Sequence, residues 1–197
     1  MIGRSHFKSI LCGLMLTLMT PMGQADEACE TFIDGTLDQM FSSINRAPER
    51  DDPELRALVQ ANVDTLSIAR FTLGKYAARV PAEDLHQYAR SLNAYFLGAI
   101  HDYIQGGQDL SADVLKSFDR NQRDCIVETI IHRESESDLA VVWRVMRVGD
   151  LHQVLDIAIE QNGNKIWLAI ELRAQVVDLY ERSGGDLNVV IQKLGFD

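Results

Sequence analysis

Asp156 is the residue whose neighbours best suit it for acid–base chemistry. It lies in the apolar run VLDIAIE, where a carboxyl group can have a raised pKa and act as a general base. Small α+β cone folds host isomerases that use such a carboxylate. Strand alternation would instead turn Asp156 away from Leu155, toward Arg144 or Arg147 on the preceding strand. We favour this structural interpretation, and an isomerase-like enzyme stays open as the alternative.

The other residue types that serve catalysis stand at spacings that support no site. The histidines beyond residue 25 form no H-E-x-x-H motif, and they are His86, His101, His132 and His152. The chain also has no C-x-x-C pair, no G-x-S-x-G elbow and no glycine-rich phosphate loop. The sequence therefore predicts a protein that is not an enzyme and that has no cofactor and no metal site.

The first residues have the features of an export signal. Basic residues precede an apolar run at 10–19, and small residues lead up to Ala25. The apolar run is too short to span a bilayer stably. We therefore expect a signal peptide over residues 1–25, cleaved near Ala25, and a single domain over residues 26–197.

The remaining chain is acidic and keeps two cysteines. Beyond residue 25 there are 17 basic and 29 acidic side chains, a net charge of −12. This charge argues against a nucleic-acid partner, which would require a basic face. In an oxidising compartment Cys29 and Cys125 could form one disulfide. Two buried free thiols are the other interpretation, and the sequence leaves both open.

Apolar periodicity divides the chain into helices, then strands, then helices. Helical spacing predicts helices over 27–46, 53–63, 66–79, 81–104, 166–182 and 187–194. Runs rich in β-branched residues predict strands over 125–133, 139–148 and 154–160, with a weaker edge strand at 113–120. Short connections between neighbouring strands favour an antiparallel meander. The predicted fold class is α+β, with this sheet packed on one side by helices.

The strand over 139–148 is apolar on both of its faces. Leu139, Val141, Trp143 and Val145 share one face, and Ala140, Val142, Met146 and Val148 share the other. A strand of this kind needs cover on both sides. The long helix over 81–104 adds an aromatic stripe that either packs in the core or faces a ligand.

Several ordered motifs resemble the MlaC-type periplasmic phospholipid-binding family, also called the toluene-tolerance family. They are Arg70-Phe71, Leu73-Gly74-Lys75-Tyr76, Pro81, the aromatic helix to Tyr103, Val154-Leu155-Asp156-Ile157, Arg173-Ala174-Gln175 and Gly184-Gly185. The chain departs from the family pattern at His152, where a Trp is usual, at the longer segment 163–167, and at Val176, where an aromatic is usual. A hopanoid-linked branch has a similar layout and stays open.

The resemblance implies a periplasmic lipid carrier with a cone-like fold and an apolar pocket for acyl chains. Implied partners are a phospholipid, an inner-membrane ABC transporter complex with a lipid-binding ring protein, and an outer-membrane lipoprotein complex. Arg173 could meet a headgroup phosphate or serve in a structural ion pair. The expected pocket residues are Tyr95, Phe96, Ala99, Ile100, Tyr103, Val141, Trp143, Val145, Ile157 and Ile159. An interaction module with a solid core is a further alternative.

Overall fold

The computed structural model describes residues 27–46, 52–104, 110–133 and 137–195, with the side chains of 101–104 and 161 left out. The expected signal peptide and its cleavage position lie outside these residues. The described chain has six α-helices and five strands in the order helices, sheet, helices. The α+β class predicted from the sequence is confirmed.

The helices begin where capping residues and prolines mark them in the sequence. Asp52, Asp64 and Asp186 each accept a hydrogen bond from a backbone N–H in the first turn of the helix that follows. Pro53 occupies the first helical position of the second helix. The helices are α1 (Glu27–Arg46), α2 (Pro53–Asn62), α3 (Thr65–Leu73), α4 (Ala82–Ile104), α5 (Leu168–Arg182) and α6 (Leu187–Lys193).

The strands form one antiparallel meander in which each strand pairs with the next along the chain. The order across the sheet is β1-β2-β3-β4-β5. The strands are β1 (Ser111–Asn121), β2 (Asp124–His132), β3 (Leu139–Val148), β4 (Leu151–Gln161) and β5 (Asn164–Trp167). The sequence did not predict β5, and the helix predicted from residue 166 in fact begins at Leu168. Ile166 and Trp167 instead pair with β4 as a short edge strand.

The third predicted helix is shorter than expected. It ends at Leu73, and Gly74–Arg79 continue as a 3₁₀-helix. Gly74 has a φ of +55°, and a Cβ there would meet the Arg173 guanidinium at 3.0 Å. A glycine suits this position because the positive φ is strained for any residue with a side chain.

A β-bulge in β4 interrupts the alternation that the sequence suggested. Val154 pairs with Val145 while Asp156 pairs with Arg144, so Leu155 is the extra residue. Val154 is therefore turned into the core, where it is 2% exposed. Its carbonyl accepts the Asp64 N–H at 3.0 Å, which joins the start of α3 to the sheet. Leu155, predicted to share a face with Ile157, does not continue the core-facing row.

Two of the apolar clusters are much larger than the others and hold the fold together. One is helical and joins α3, α4, α5 and α6 around fully buried Leu73, Tyr88 and Val176. The other packs α1 on the inner face of β2, β3 and β4. Cys29 of α1 and Cys125 of β2 are bonded there, with an S–S distance of 1.98 Å and both residues fully buried. The disulfide fixes α1 to the sheet.

Candidate functional site

An apolar cavity lies where the inner face of the sheet meets the helices. Its volume is ≈ 140 Å³. The residues that line it come from α1, the residue that follows α2, the start of α3, α4, β2, β3, β4 and the first turn of α5. They are Leu37, Met40, Phe41, Val63, Ile68, Phe96, Ala99, Ile100, Ile131, Arg133, Leu139, Val141, Trp143, Val154, Asp156, Ile157, Ile159, Leu168 and Ala169. Such a lining suits an apolar ligand.

Helical and strand periodicity bring these side chains together. Leu37, Met40 and Phe41 follow one another at i, i+3 and i+4, so they share the face that α1 turns to the sheet. Val141 and Trp143 alternate with outward residues along β3. The Trp143 indole N–H donates to Thr129 Oγ1 at 2.9 Å, which fixes the ring in the cavity wall and satisfies its one donor.

Asp156 is one of two ionisable residues in the lining. It is 8% exposed, and its Oδ1 accepts the backbone N–H of Ile157 and of Ala169, each at 2.9 Å. Burial raises the pKa of this carboxyl, against the opposing effect of these two hydrogen bonds. Because Ala169 lies in the first turn of α5, Asp156 caps that helix from the neighbouring strand.

The expected partner of Asp156 is engaged elsewhere. The Arg144 guanidinium lies 2.9 Å from Asp124 Oδ2 and forms its ion pair there. The prediction that Asp156 points away from the core to pair with Arg144 or Arg147 is therefore wrong. Asp156 pairs with Arg144 in strand register, and the Arg144 charge lowers the Asp156 pKa less than the backbone N–H donors of Ala169 and Ile157 do.

Arg133 is the other ionisable residue of the lining. It follows β2, and its guanidinium donates to the Ser137 carbonyl through Nη2 at 2.6 Å and Nε at 3.2 Å. These bonds hold the cation where β2 leaves the sheet. The lining thus combines a long apolar wall with one cation at the end of a strand.

Seven of the residues predicted for the pocket line this cavity. They are Phe96, Ala99, Ile100, Val141, Trp143, Ile157 and Ile159. Val145 lies instead beside the disulfide and is fully buried. Tyr95 is 38% exposed and tilts against Phe96, with ring centroids 5.8 Å apart. Tyr103 belongs to α4, but its side chain lies outside the described part of the chain.

Arg173 does not reach the cavity. It is exposed on α5, and its guanidinium stands over the Phe71 ring at 5.0 Å from the centroid. Within the described ranges no carboxylate forms an ion pair with it. The contacts of the Arg173 side chain are therefore with the Phe71 ring and with Gly74, and not with a carboxylate in a structural ion pair.

Sequence reasoning missed the contribution of α1. Its apolar face carries the same spacing as any core-facing helix, so nothing in the sequence separates Leu37, Met40 and Phe41 from residues that pack fully. Arg133 could have indicated the edge of the cavity from the sequence, because a cation directly after an apolar strand lies at the border of the buried face. His152, noted as a departure, stacks on Phe32 of α1 at 5.6 Å.

The described residues form neither a metal site nor a membrane-spanning helix. In the part of the chain that the structure describes, no cluster of three or more His, Cys, Asp or Glu side chains could hold a metal ion. Among the helices described, none has the length and apolar character needed to cross a membrane.

The family model described as "MlaC protein" matches residues 32–195. The chain belongs to the MlaC family. The matched segment starts within α1 and ends after α6, so it includes every wall of the cavity. Among curated proteins, no match is found.

A solved structure shares the MlaC fold of this chain. It is a phospholipid-binding protein from Ralstonia solanacearum in complex with a phospholipid. It superposes with a TM-score of 0.63 at 18% sequence identity, over 84% of this chain and 94% of that one. At this identity the likeness establishes the common fold.

Proposed function

We propose that this MlaC-family protein is an exported carrier that holds the acyl chains of a phospholipid in the cavity between α1, α4 and the sheet. The observation that carries the proposal is the cavity lining, in which apolar side chains surround a space beside one cation, Arg133, and one buried carboxyl, Asp156. Family membership and the phospholipid bound by the Ralstonia solanacearum protein support it. A carrier of this kind needs no catalytic group.

Apolar burial supplies the affinity, and it also allows release. Each methylene moved out of water contributes about 0.8 kcal/mol, so two chains of about 15 methylenes gain about 24 kcal/mol relative to water. Relative to a bilayer the same burial gains almost nothing, because the chains leave an equally apolar environment. The protein can therefore take up and deliver a phospholipid without a large change in free energy in either direction.

The walls of the cavity must separate when the ligand enters. A volume of ≈ 140 Å³ is close to the ~150 Å³ cavity that accepts a benzene molecule, and two acyl chains are much larger. The disulfide fixes α1 to β2. We therefore expect α4, which contributes Phe96, Ala99 and Ile100, to be the wall that moves.

Two arginines are candidates for the headgroup phosphate. Arg133 belongs to the lining, and Arg173 was the candidate from the family resemblance. A guanidinium suits a phosphate because it offers paired donors. The variants Arg133→Glu and Arg173→Glu distinguish the two candidates. Phospholipid retention should weaken only in the variant whose arginine contacts the phosphate.

The place of transport is proposed from the family. We infer that the protein works in the periplasm, receiving or delivering phospholipid at an outer-membrane lipoprotein complex and at an inner-membrane ABC transporter complex with a lipid-binding ring. The net charge of −12 beyond residue 25 fits a protein that does not adhere to anionic membranes between these partners.

The test is to purify the protein from the periplasm of expressing cells without detergent, and then to measure its bound lipid by native mass spectrometry and by lipid extraction. We expect a stoichiometric phospholipid. Ala99→Phe, which fills the cavity, should lower the bound fraction. Ala94→Phe is the matched control, since Ala94 is exposed on the same helix.

Two results would contradict the carrier proposal. One is a lipid-free protein that also takes no phospholipid from vesicles. The other is an activity lost in Asp156→Asn while lipid content is unchanged, which would favour the isomerase-like alternative. A hopanoid in the extract would keep the carrier and change its cargo.

A further inference from the structure

The outer face of the sheet carries a second concave surface, here called the outer groove. Its border includes Phe71 of α3, Ile170 of α5 and Trp167 of β5, and Phe118 of β1 at the opposite edge of the sheet. Its volume is ≈ 570 Å³, larger than that of the inner cavity. Alternation along β3 turns Val141 and Trp143 toward the cavity and Val142 and Arg144 toward the groove. The two sites meet at Ile68, Asp156 and Ala169, which line both.

The apolar side chains of the outer groove are unusually accessible. Phe71 is 39% exposed, Phe118 is 41% exposed and Ile170 is 53% exposed. Beneath them Ile126 and Val142 are buried and form a small apolar cluster that Trp167 covers in part. Large apolar side chains grouped around a concavity mark a binding surface more often than single exposed residues do.

Cations outnumber carboxylates around the same groove. Arg120 and Arg144 share one carboxylate, Asp124, at 3.2 and 2.9 Å. On the other side of the floor Lys116 and Lys165 share Glu128, at 3.2 and 2.8 Å. Each group of three side chains therefore keeps one positive charge. A further carboxylate, Asp156 of the lining, is buried and accepts two backbone N–H groups.

Arg173 adds a third positive charge at the rim. Its guanidinium stands over the Phe71 ring, and the described residues supply no ion pair for it. This local excess of positive charge occurs in a chain whose net charge is −10. A positive, apolar groove on an acidic protein is complementary to a ligand that is both apolar and anionic.

We propose that the outer groove docks a segment of a partner protein that carries apolar side chains flanked by Asp or Glu. The concave shape fits a chain segment better than a flat bilayer, and the net negative charge of the molecule repels an anionic membrane. The apolar side chains would enter between Phe71 and Phe118, and the carboxylates would meet Arg120 and Lys165.

The test places a photo-crosslinking residue, benzoylphenylalanine, at Phe118 of the full chain in the cells that produce it. The crosslinked peptide is then sequenced by mass spectrometry. We expect one protein adduct whose crosslinked peptide combines apolar and acidic residues. The double variant Arg120→Glu and Lys165→Glu should lower the adduct yield by about tenfold, because like charges would then face each other.

The matched control reverses two exposed cations far from the groove, Arg90 of α4 and Lys193 of α6, with the same change in net charge. The adduct yield should stay unchanged in that control. The proposal is overturned by the absence of a protein adduct, by an adduct to a second copy of this chain, or by equal losses in both double variants. Binding to phosphatidylglycerol vesicles that only Arg120→Glu and Lys165→Glu abolish would also overturn it, in favour of a membrane surface.

Discussion

At the scale of single residues, Asp156 shows how a carboxylate in an apolar strand can have a structural role. Its Oδ1 receives the N–H of Ala169, in the first turn of α5, where the helix has unsatisfied donors. The residue that precedes this helix, Trp167, makes no capping hydrogen bond with its own side chain. The β-bulge at Leu155 sets the strand so that Asp156 can supply the cap from β4.

Removing this cap should destabilise the protein without abolishing lipid binding. We expect Asp156→Ala to lower the free energy of unfolding by about 0.5–2 kcal/mol, the usual cost of losing a helix cap. Asp156→Asn keeps an accepting oxygen and should cost less. Urea unfolding measures the change, with bound phospholipid per folded molecule as the second measurement. Equal stability of wild type and Asp156→Ala would contradict the capping role.

His132 should make stability depend on pH. Its Nε2 lies 3.1 Å from Asp113 and its Nδ1 lies 3.1 Å from Asp138, and these partners, Asp113 first, raise the pKa of the imidazole. Because the folded state holds the proton more tightly, the stabilisation is full below the unfolded pKa of about 6.5. It is lost as the pH rises through the higher folded value.

This dependence can be measured directly at the imidazole. An NMR titration should give a pKa for His132 above about 6.5, and Asp113→Asn should lower it. Urea unfolding midpoints should fall with rising pH in the wild type, and less so in His132→Gln. A pKa at or below that of an unperturbed histidine would show that the two carboxylates do not hold the ring.

At the scale of elements, the disulfide determines which wall of the cavity is rigid. Cys29 lies in the first turn of α1, and its partner Cys125 is 96 residues further along the chain. Closing so long a loop removes much conformational freedom from the unfolded chain. The bond also holds α1, with its Leu37, Met40 and Phe41, against β2.

Replacing both cysteines by alanine should cost about 2–5 kcal/mol of unfolding free energy. Alanine is preferred to serine here because both positions are fully buried, and a hydroxyl would need a hydrogen-bond partner. Chemical denaturation with and without a reductant gives the comparison, since a reductant should destabilise only the wild type. A wild type that is insensitive to the reductant would contradict this role.

The elements that the sequence predicts well are those with a local signal. Asp64 and Asp186 directly precede α3 and α6, and an Asp at that position is a local capping signal that can be read from the sequence. The short strand β5 has no such signal, because four residues are too few to show alternation and Ile166 also fits the helical period of α5. Its pairing with β4 depends on the turn at 162–163, where Asn162 and Gly163 adopt positive φ.

At the scale of the whole molecule, the cavity is harder to predict than the fold. Trp143 and Val145 are both apolar and lie on the same face of β3. Trp143 nevertheless lines the cavity, whereas Val145 packs beside the disulfide. The difference arises from where α1 crosses the sheet, which is a property of tertiary packing. The sequence therefore indicates which faces are buried, whereas only the assembled helices show where a space remains between them.

That space has a cost in stability which a functional carrier has to tolerate. Partly unfilled apolar volume forfeits packing contacts, so substitutions that fill it commonly stabilise by about 0.5–2 kcal/mol. Ala99 borders the cavity and Ala94 on the same helix does not. We therefore expect Ala99→Phe to raise the melting temperature of lipid-free protein, while Ala94→Phe leaves it unchanged.

Lipid should reverse this order. A ligand that binds only the folded state stabilises it by mass action, so phospholipid should raise the melting temperature of the wild type and of Ala94→Phe, but not that of Ala99→Phe. Calorimetry of delipidated and lipid-loaded samples measures all six values. If Ala99→Phe were destabilised when empty and still gained stability from phospholipid, the cavity at Ala99 would be ordinary core, and the acyl chains would have to bind elsewhere.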